Sequence, residues 1–134
     1  MPSFVLDIKN NQAFLESTVG RPESPDETMG FKALLDTGAQ RTLVSPKIVK
    51  DLGLIPIAPA SVRAVSGGVV DTKEYRMNVS IPIQLGNNAV FDKGSSMNVL
   101  LLPYQPKDYD VLLGMDFLSG FHITLFGKQM IISN

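Results

Sequence analysis

The sequence predicts an all-β fold with one or two short helices. Three observations support this: short apolar runs alternate with polar residues, glycine, proline and asparagine separate these runs, and one stretch alone has helical spacing. The chain has 134 residues, which is the length of one domain, so we expect a single domain over 1–134. Its 44% hydrophobic and 19% charged residues are typical of a globular protein.

The predicted strands lie on both sides of the one predicted helix. That helix covers 46–52, because Ser45 suits the N-cap, Pro46 the first helical position and Gly53 the end. Before it we predict a hairpin over 3–18, a polar proline-containing loop over 20–27 and a strand over 31–35. After it we predict strands over 61–65, 69–83, 89–92, 97–102, 121–126 and 129–133, and a polar loop over 103–108. The longest strand has apolar residues at alternate positions, namely Tyr75, Met77, Val79, Ile81 and Ile83.

Asp36 is the strongest candidate for a catalytic residue. The segment 34–39, Leu-Leu-Asp-Thr-Gly-Ala, puts one carboxylate at the end of an apolar strand and in a glycine turn, and a second apolar strand follows at 42–45. A carboxylate between two buried strands loses solvation, and this cost is usually tolerated where the group has a function. The alternative is structural, since an aspartate often caps the backbone of its own turn.

Composition excludes several other classes of function. The chain has no cysteine, which excludes disulfides, thiol nucleophiles and thiolate metal sites and is compatible with a reducing compartment. Twelve basic residues nearly balance thirteen acidic ones, so we expect no nucleic-acid partner and no anionic-membrane partner. We also expect no metal and no other cofactor, because no histidine or acid cluster has ligand spacing. Without a signal peptide or an apolar span, a cytoplasmic location is expected.

Three segments together resemble the retropepsins, the retroviral-type aspartic proteases, and their small cellular and bacterial relatives. They are the turn 36–39 with the strand behind it, the glycine-tipped hairpin near Gly67-Gly68, and the segment 111–118, in the family's order and at about its spacing. The resemblance implies a closed β-barrel and peptide hydrolysis, in which one carboxylate activates water and a second, protonated one donates a proton. The chain contains a single Asp-Thr-Gly, so the resemblance implies a homodimer that joins two copies of Asp36 and cleaves a peptide or protein substrate.

The resemblance also implies roles for the neighbours of Asp36. Thr37 and Gly38 would support the catalytic turn, Thr37 by bonding across the dimer and Gly38 by letting the substrate approach its backbone. The implied substrate-binding residues are Gly38, Ala39, Gln40 and Arg41 on the turn and Ser66, Gly67 and Gly68 on a hairpin that would act as a flap. The terminal strands, 3–8 and 129–133, would interleave with those of the partner.

Some positions depart from the viral pattern. Viral enzymes typically have an acid and an arginine where this chain has Gln40 and Met115, so we expect an uncharged contact to replace that ion pair. Arg41 is expected at the edge of the cleft, where it would favour acidic or polar substrate groups. We expect Asp116 to be the N-cap of a short helical turn over 117–119.

Three classes of function stay open at this point. The leading one is an aspartic endopeptidase that works as a homodimer. The second is a catalytically silent binding or dimerisation module with the protease fold, since a fold does not dictate activity. The third is a structural domain excised from a longer polyprotein.

Overall fold

The structure, a computed structural model, describes residues 3–63, 66–85 and 89–133. Within these ranges the chain forms ten strands and two short helices, which confirms the all-β class. In chain order they are β1 (Ser3–Lys9), β2 (Gln12–Gly20), β3 (Thr28–Leu35), β4 (Leu43–Val44), α1 (Pro46–Leu52), β5 (Ala58–Arg63), β6 (Val69–Leu85), β7 (Ala89–Leu101), β8 (Val111–Leu113), α2 (Met115–Leu118), β9 (His122–Phe126) and β10 (Gln129–Ser133). Neither helix, in the part of the chain that is described, is long and apolar enough to cross a membrane.

Local sequence explains the ends of helix α1 and its position. The Ser45 hydroxyl accepts a hydrogen bond from the Ile48 N–H (3.4 Å), and Pro46 occupies the first helical position. Gly53 ends the helix with a φ of 64°, a left-handed conformation that glycine adopts without strain. The side chain of Ile48 is fully buried, so the helix lies against the core and its predicted bounds are confirmed.

The strands form one hydrogen-bonded ladder in the order β5-β6-β7-β4-β8-β3-β2-β1-β10-β9. The 17-residue strand β6 pairs with β7 along one edge, and its other edge pairs with β5 and then, at 78–80, with β2. The pairings β6-β7-β4-β8-β3-β2-β6 therefore form a continuous circuit. Two pairs are parallel, β3 with β8 and β4 with β7, and both lie next to the catalytic turn predicted from the sequence.

The core lies on the inner face of this circuit. Strand β6 supplies the five alternating residues predicted from the sequence, and all of them are buried: Tyr75, Met77, Val79, Ile81 and Ile83. They belong to one core cluster with buried residues of other strands of the circuit, including Val19, Ala33, Val99 and Leu113. Burial of these apolar side chains is the main stabilising contribution to the fold.

The terminal strands pair with each other within the described chain. Strand β1 pairs with β10 of the same chain, from Ser3 opposite Ser133 to Asp7 opposite Gln129. Strand β10 also pairs with β9, so both of its edges are occupied within one chain. Interleaving of 3–8 and 129–133 with a second chain would use these same strand edges and stays a prediction. Within the described sheet, β9 is the outer strand on this side.

Candidate active site

Asp36 directly follows β3 at the centre of the ladder. Strand β3 runs parallel to β8, with Leu35 opposite Leu113, and the Asp36 N–H donates to the Leu113 carbonyl oxygen (2.9 Å). Strand β4 pairs with the other edge of β8. Residues 33–35 of β3 and all of β8 are apolar and buried, as is usual for central strands. The side chain of Asp36 is thus half-buried at the end of a rigid strand.

The predicted catalytic turn (36–39) holds the Asp36 carboxylate by its own backbone. The Gly38 N–H donates to Asp36 Oδ1 (3.0 Å), and the Ala39 N–H donates to the Asp36 carbonyl oxygen (3.1 Å). A Cβ at position 38 would lie 3.2 Å from Oδ1, so glycine keeps space beside the carboxylate. Asp36 therefore does cap the backbone of its own turn, as the structural alternative expected. The same hydrogen bond fixes the orientation of its carboxylate. Thr37 and Gly38 are exposed in the single chain.

The predicted catalytic loop (37–42) crosses the segment 114–116, where β8 leads into α2, at close range. The Met115 N–H donates to the Ala39 carbonyl oxygen (2.8 Å), and the Asp116 N–H donates to the Gln40 carbonyl oxygen (3.1 Å). A Cβ at Gly114 would lie 2.5 Å from the carbonyl oxygen of Arg41 and 3.0 Å from that of Ala39. Only glycine permits this approach, so Gly114 lets the loop after Asp36 lie directly against the start of α2.

Asp116 connects these two segments through its side chain, which the sequence interpretation missed. Its carboxylate accepts from the Thr42 N–H (3.0 Å, Oδ2) and from the Thr42 hydroxyl (2.7 Å, Oδ1). The Thr42 hydroxyl oxygen in turn accepts from the Gly114 N–H (3.1 Å), and Thr42 is fully buried. The expected N-cap role of Asp116 is wrong, because α2 begins at Met115 with Gly114 as its N-cap. The sequence signals for this contact are Thr42, shortly after the Asp36 turn, and Asp116, two residues after Gly114.

Arg41 contacts two acids of its own chain. Its Nη2 lies 2.7 Å from Glu74 Oε2, and its Nε lies 3.7 Å from Asp116 Oδ2. Backbone hydrogen bonds join the segments that contain Gln40 and Met115. The next residue on each segment, Arg41 and Asp116, forms an ion pair. The expectation that an uncharged contact replaces the ion pair is thus incomplete. The expected preference for acidic substrates stays a prediction, and the two carboxylates beside the guanidinium oppose it.

The predicted flap corresponds to the hairpin of β5 and the first part of β6. Its pairing runs from Ala58 opposite Glu74 to Arg63 opposite Val69, so β5 begins three residues earlier than the predicted strand, whose last residues, 64–65, lie outside the described residues. Ser66, Gly67 and Gly68 are exposed at the tip. Gly67 has a φ of 90°, which favours glycine, so these residues suit a hairpin turn. Closure of this tip over Asp36 stays a prediction.

Two tyrosines in the loop between β7 and β8 also have no signal in the sequence, since Tyr104 lies in the polar loop predicted over 103–108 and Tyr109 directly follows it. The hydroxyl oxygens of Tyr104 and Tyr109 lie 3.4 Å apart. Burial raises the pKa of Tyr109 well above the usual range of tyrosine, and the hydrogen bond to Tyr104 and the charges of Tyr104 and Asp36 raise it further. Tyr109 is therefore a neutral phenol close enough to Asp36 to be influenced by its charge.

Metal ligands do not cluster in the residues that the structure covers. Among the described residues, no group of three or more histidines and acids is arranged to hold a metal ion.

Comparisons with known proteins agree with this geometry. The profile of a family described as "gag-polyprotein putative aspartyl protease" matches residues 27–120, and the chain belongs to this family. Among solved structures, a retropepsin-like aspartic protease from Rickettsia conorii superposes with a TM-score of 0.63 at 14% identity, over 97% of this chain and 89% of that one. The retroviral protease-like domain of Ddi1 from Leishmania major has a TM-score of 0.44 at 18% identity, over 86% of this chain and 82% of that one. The first of these likenesses shows that the fold is retropepsin-like. A search of curated proteins finds no match.

Proposed function

We propose that the protein is an aspartic endopeptidase that acts as a homodimer, with Asp36 of each chain on either side of one catalytic water. The supporting observation is the single Asp-Thr-Gly turn, whose half-buried carboxylate is held at the end of a central strand by the Gly38 N–H. One chain supplies one carboxylate, whereas this chemistry uses a base and an acid. A second copy related by a two-fold axis would supply the other.

The reaction would proceed by acid and base catalysis without a covalent intermediate. Two carboxylates held close together share one proton, because both cannot ionise easily. The ionised Asp36 takes a proton from water as the water oxygen bonds to the peptide carbonyl carbon, and the protonated Asp36 of the second copy donates its proton to the carbonyl oxygen. The resulting diol collapses as the first Asp36, now protonated, donates its proton to the leaving nitrogen and the C–N bond breaks. The ionised Asp36 of the second copy takes a proton from one diol hydroxyl, which gives the product carboxylic acid and restores the shared proton.

Other residues would position an extended peptide. Gly38, Ala39, Gln40 and Arg41 would contact it along the catalytic loop, with Gly38 giving the substrate backbone access to the turn. The exposed tip 66–68 would cover the peptide from the other side, and its glycines would let the hairpin move. Thr37, exposed in the single chain, would bond to the turn of the second copy.

The first test compares the wild type with Asp36→Asn on a mixed peptide library from acidic to neutral pH. The control variant is Asp26→Asn, which removes an exposed acid from the loop between β2 and β3. We expect cleavage by the wild type and the control, blocked by a statine-type inhibitor, and a loss of roughly a thousandfold in Asp36→Asn. A wild type that forms a dimer but cleaves nothing would favour the silent binding module.

The second test asks whether the site is shared between chains. Sedimentation velocity should give the mass of a dimer, and a large excess of Asp36→Asn should inhibit the wild type by forming mixed dimers with one intact carboxylate. The same excess of Asp26→Asn should add activity instead. A strict monomer that cleaves peptides, or a wild type insensitive to the excess, would contradict the shared site.

A further inference from the structure

Arg41 connects the catalytic loop with an element outside it. Its guanidinium donates to Glu74 Oε2 at 2.7 Å, across 33 residues of sequence. Glu74 belongs to β6 and lies opposite Ala58, the first residue of β5. The Glu74 carbonyl oxygen also accepts from the Ile57 N–H (2.8 Å), where the chain enters β5. The Arg41 contact therefore reaches the base of the β5–β6 hairpin.

The other side of the guanidinium faces Asp116, the residue that joins the catalytic loop to α2. Arg41 Nε lies 3.7 Å from Asp116 Oδ2, the oxygen that also accepts from the Thr42 N–H. Arg41 thus lies between a carboxylate on the hairpin and one fixed to the buried Thr42. The side chains of both acids are about one-fifth exposed, against 43% for Arg41, so the contact with Glu74 is partly shielded from water.

The chemistry of arginine suits this position. A guanidinium presents donors on several nitrogens in one rigid plane, so Nη2 and Nε can serve two acids at once. Hydrogen bonds between two charged groups are shorter and stronger than neutral ones, in agreement with the 2.7 Å distance to Glu74. Lysine would keep the charge but lose the two-sided geometry.

We propose that Arg41 is a positioning residue that fixes the base of the β5–β6 hairpin to the catalytic loop, with Glu74 as its partner on the hairpin. A flap must move at its tip while its base keeps a constant relation to the catalytic carboxylate, since small displacements of substrate-positioning groups reduce turnover. The Arg41–Glu74 contact supplies this constraint. The effect on turnover rests on the proposed function, whereas the effect on the hairpin does not.

The direct test is hydrogen–deuterium exchange of the hairpin amides in the wild type, Arg41→Gln and Glu74→Gln. The control is Arg76→Gln, which removes an exposed arginine from the same strand, where it bonds to Asn98 on β7. Both test variants should exchange roughly three- to fivefold faster over 58–63 and 69–74, with β10 unchanged, because an ion pair of this exposure has a modest effect. Unchanged exchange in both test variants, or an equal change in the control, would overturn the proposal.

A double variant tests whether the two residues act as a pair. Arg41→Gln with Glu74→Gln should exchange no faster than the faster single variant, because either change alone breaks the same contact. Independent, multiplying effects would show that the residues act separately and would refute the pair. This measurement needs no catalytic activity, so it decides the proposal even if the protein cleaves nothing.

Kinetics provide the second measurement if the protein is active. Arg41→Gln and Glu74→Gln should each lower kcat/KM by about three- to fivefold with little change in Tm, and Arg41→Lys should recover part of the loss. The control Arg76→Gln should keep wild-type kcat/KM. A loss of kcat/KM that follows Tm across all variants would indicate a merely structural role and contradict the assignment.

Discussion

Two regions of the molecule differ in how much they complete within one chain. The predicted catalytic end, which comprises the turn after Asp36 and the start of α2, is held together by hydrogen bonds, whereas the terminal sheet exposes large apolar side chains to water. At the catalytic end, backbone hydrogen bonds from Met115 and Asp116 and the paired groups of Thr42 join two distant segments within one chain. In the terminal sheet of β1, β10 and β9, the large apolar residues Leu125 and Phe126 are 65% and 74% exposed. One region is closed by its own polar groups, and the other leaves apolar surface in water.

Each region also has a feature that a single chain leaves incomplete. The catalytic turn is geometrically complete but has one carboxylate, and the terminal sheet is paired but has an exposed apolar edge. Contiguous exposed apolar surface often marks a protein interface, and an uncovered sheet edge can pair with another strand. Both features agree with the proposed homodimer. Changes at the catalytic end should therefore lower the stability of the chain, and changes in the terminal sheet should alter association instead.

The largest effect is expected from Gly114→Ala. The new Cβ would lie 2.5 Å from the Arg41 carbonyl oxygen, so the catalytic loop and α2 would have to separate. We expect a loss of about 3 kcal/mol in the free energy of unfolding, since backbone atoms cannot yield as a flexible side chain can. Urea denaturation measures this loss. Gly120→Ala is the control, because a Cβ there meets its nearest neighbour at an ordinary 3.5 Å. Equal stability of both variants would contradict the close crossing.

The next effect in size is expected from Thr42→Val. The substitution removes the hydroxyl that donates to Asp116 and accepts from the Gly114 N–H, and it leaves a buried N–H without its acceptor. Loss of these bonds should cost about 2 kcal/mol in thermal or urea unfolding. Thr42→Ser keeps the hydroxyl and should lose less than half as much. If valine and serine destabilise equally, packing of the methyl group matters more than the hydrogen bonds.

The same comparison shows which features the sequence could predict. Elements with strong local chemistry were predicted well, such as α1 with its Ser45 cap and Gly53 end, and the alternating face of β6. The candidate Asp36 could be chosen because its motif is local. The all-β class was predicted from short alternating runs, and the family from three motifs in order, and the structure and the comparisons confirm both.

Contacts between distant segments could not be predicted in the same way. The Asp116 carboxylate pairs with Thr42 across 74 residues, and the sequence gives no register for that contact. The pairing of β1 with β10 in one chain is similar, because exchange with a second chain would use the same hydrogen bonds. Tyr109 was overlooked since its neighbours are polar and its proximity to Asp36 depends on the path of a loop. These features depend on tertiary packing, which local propensities do not encode.

A change in the terminal sheet should affect association more than stability. Phe126→Ser removes a ring that is 74% exposed, so the chain itself should change by no more than about 0.5 kcal/mol in unfolding. If the second copy covers this edge, the dissociation constant of the dimer should rise at least about tenfold, as for a buried aromatic contact. Sedimentation equilibrium measures it. Ile55→Ser removes an 81% exposed side chain outside the terminal sheet and should leave association unchanged. Equal effects of the two variants would place the dimer contact elsewhere.

The smallest effect is expected at Tyr109 and only at high pH. Burial raises the pKa of this phenol above the ordinary tyrosine value of 10.0, so the folded chain holds the proton more tightly than the unfolded chain. Proton linkage then makes this contribution complete below the ordinary value and progressively lost as the pH rises above it. Unfolding free energies measured from about pH 8 to about pH 11 should fall less steeply in Tyr109→Phe than in the wild type. Tyr104→Phe should flatten the curve less, because burial, the largest cause, remains. Parallel curves for the wild type and Tyr109→Phe would show that this phenol titrates as it does in an unfolded chain.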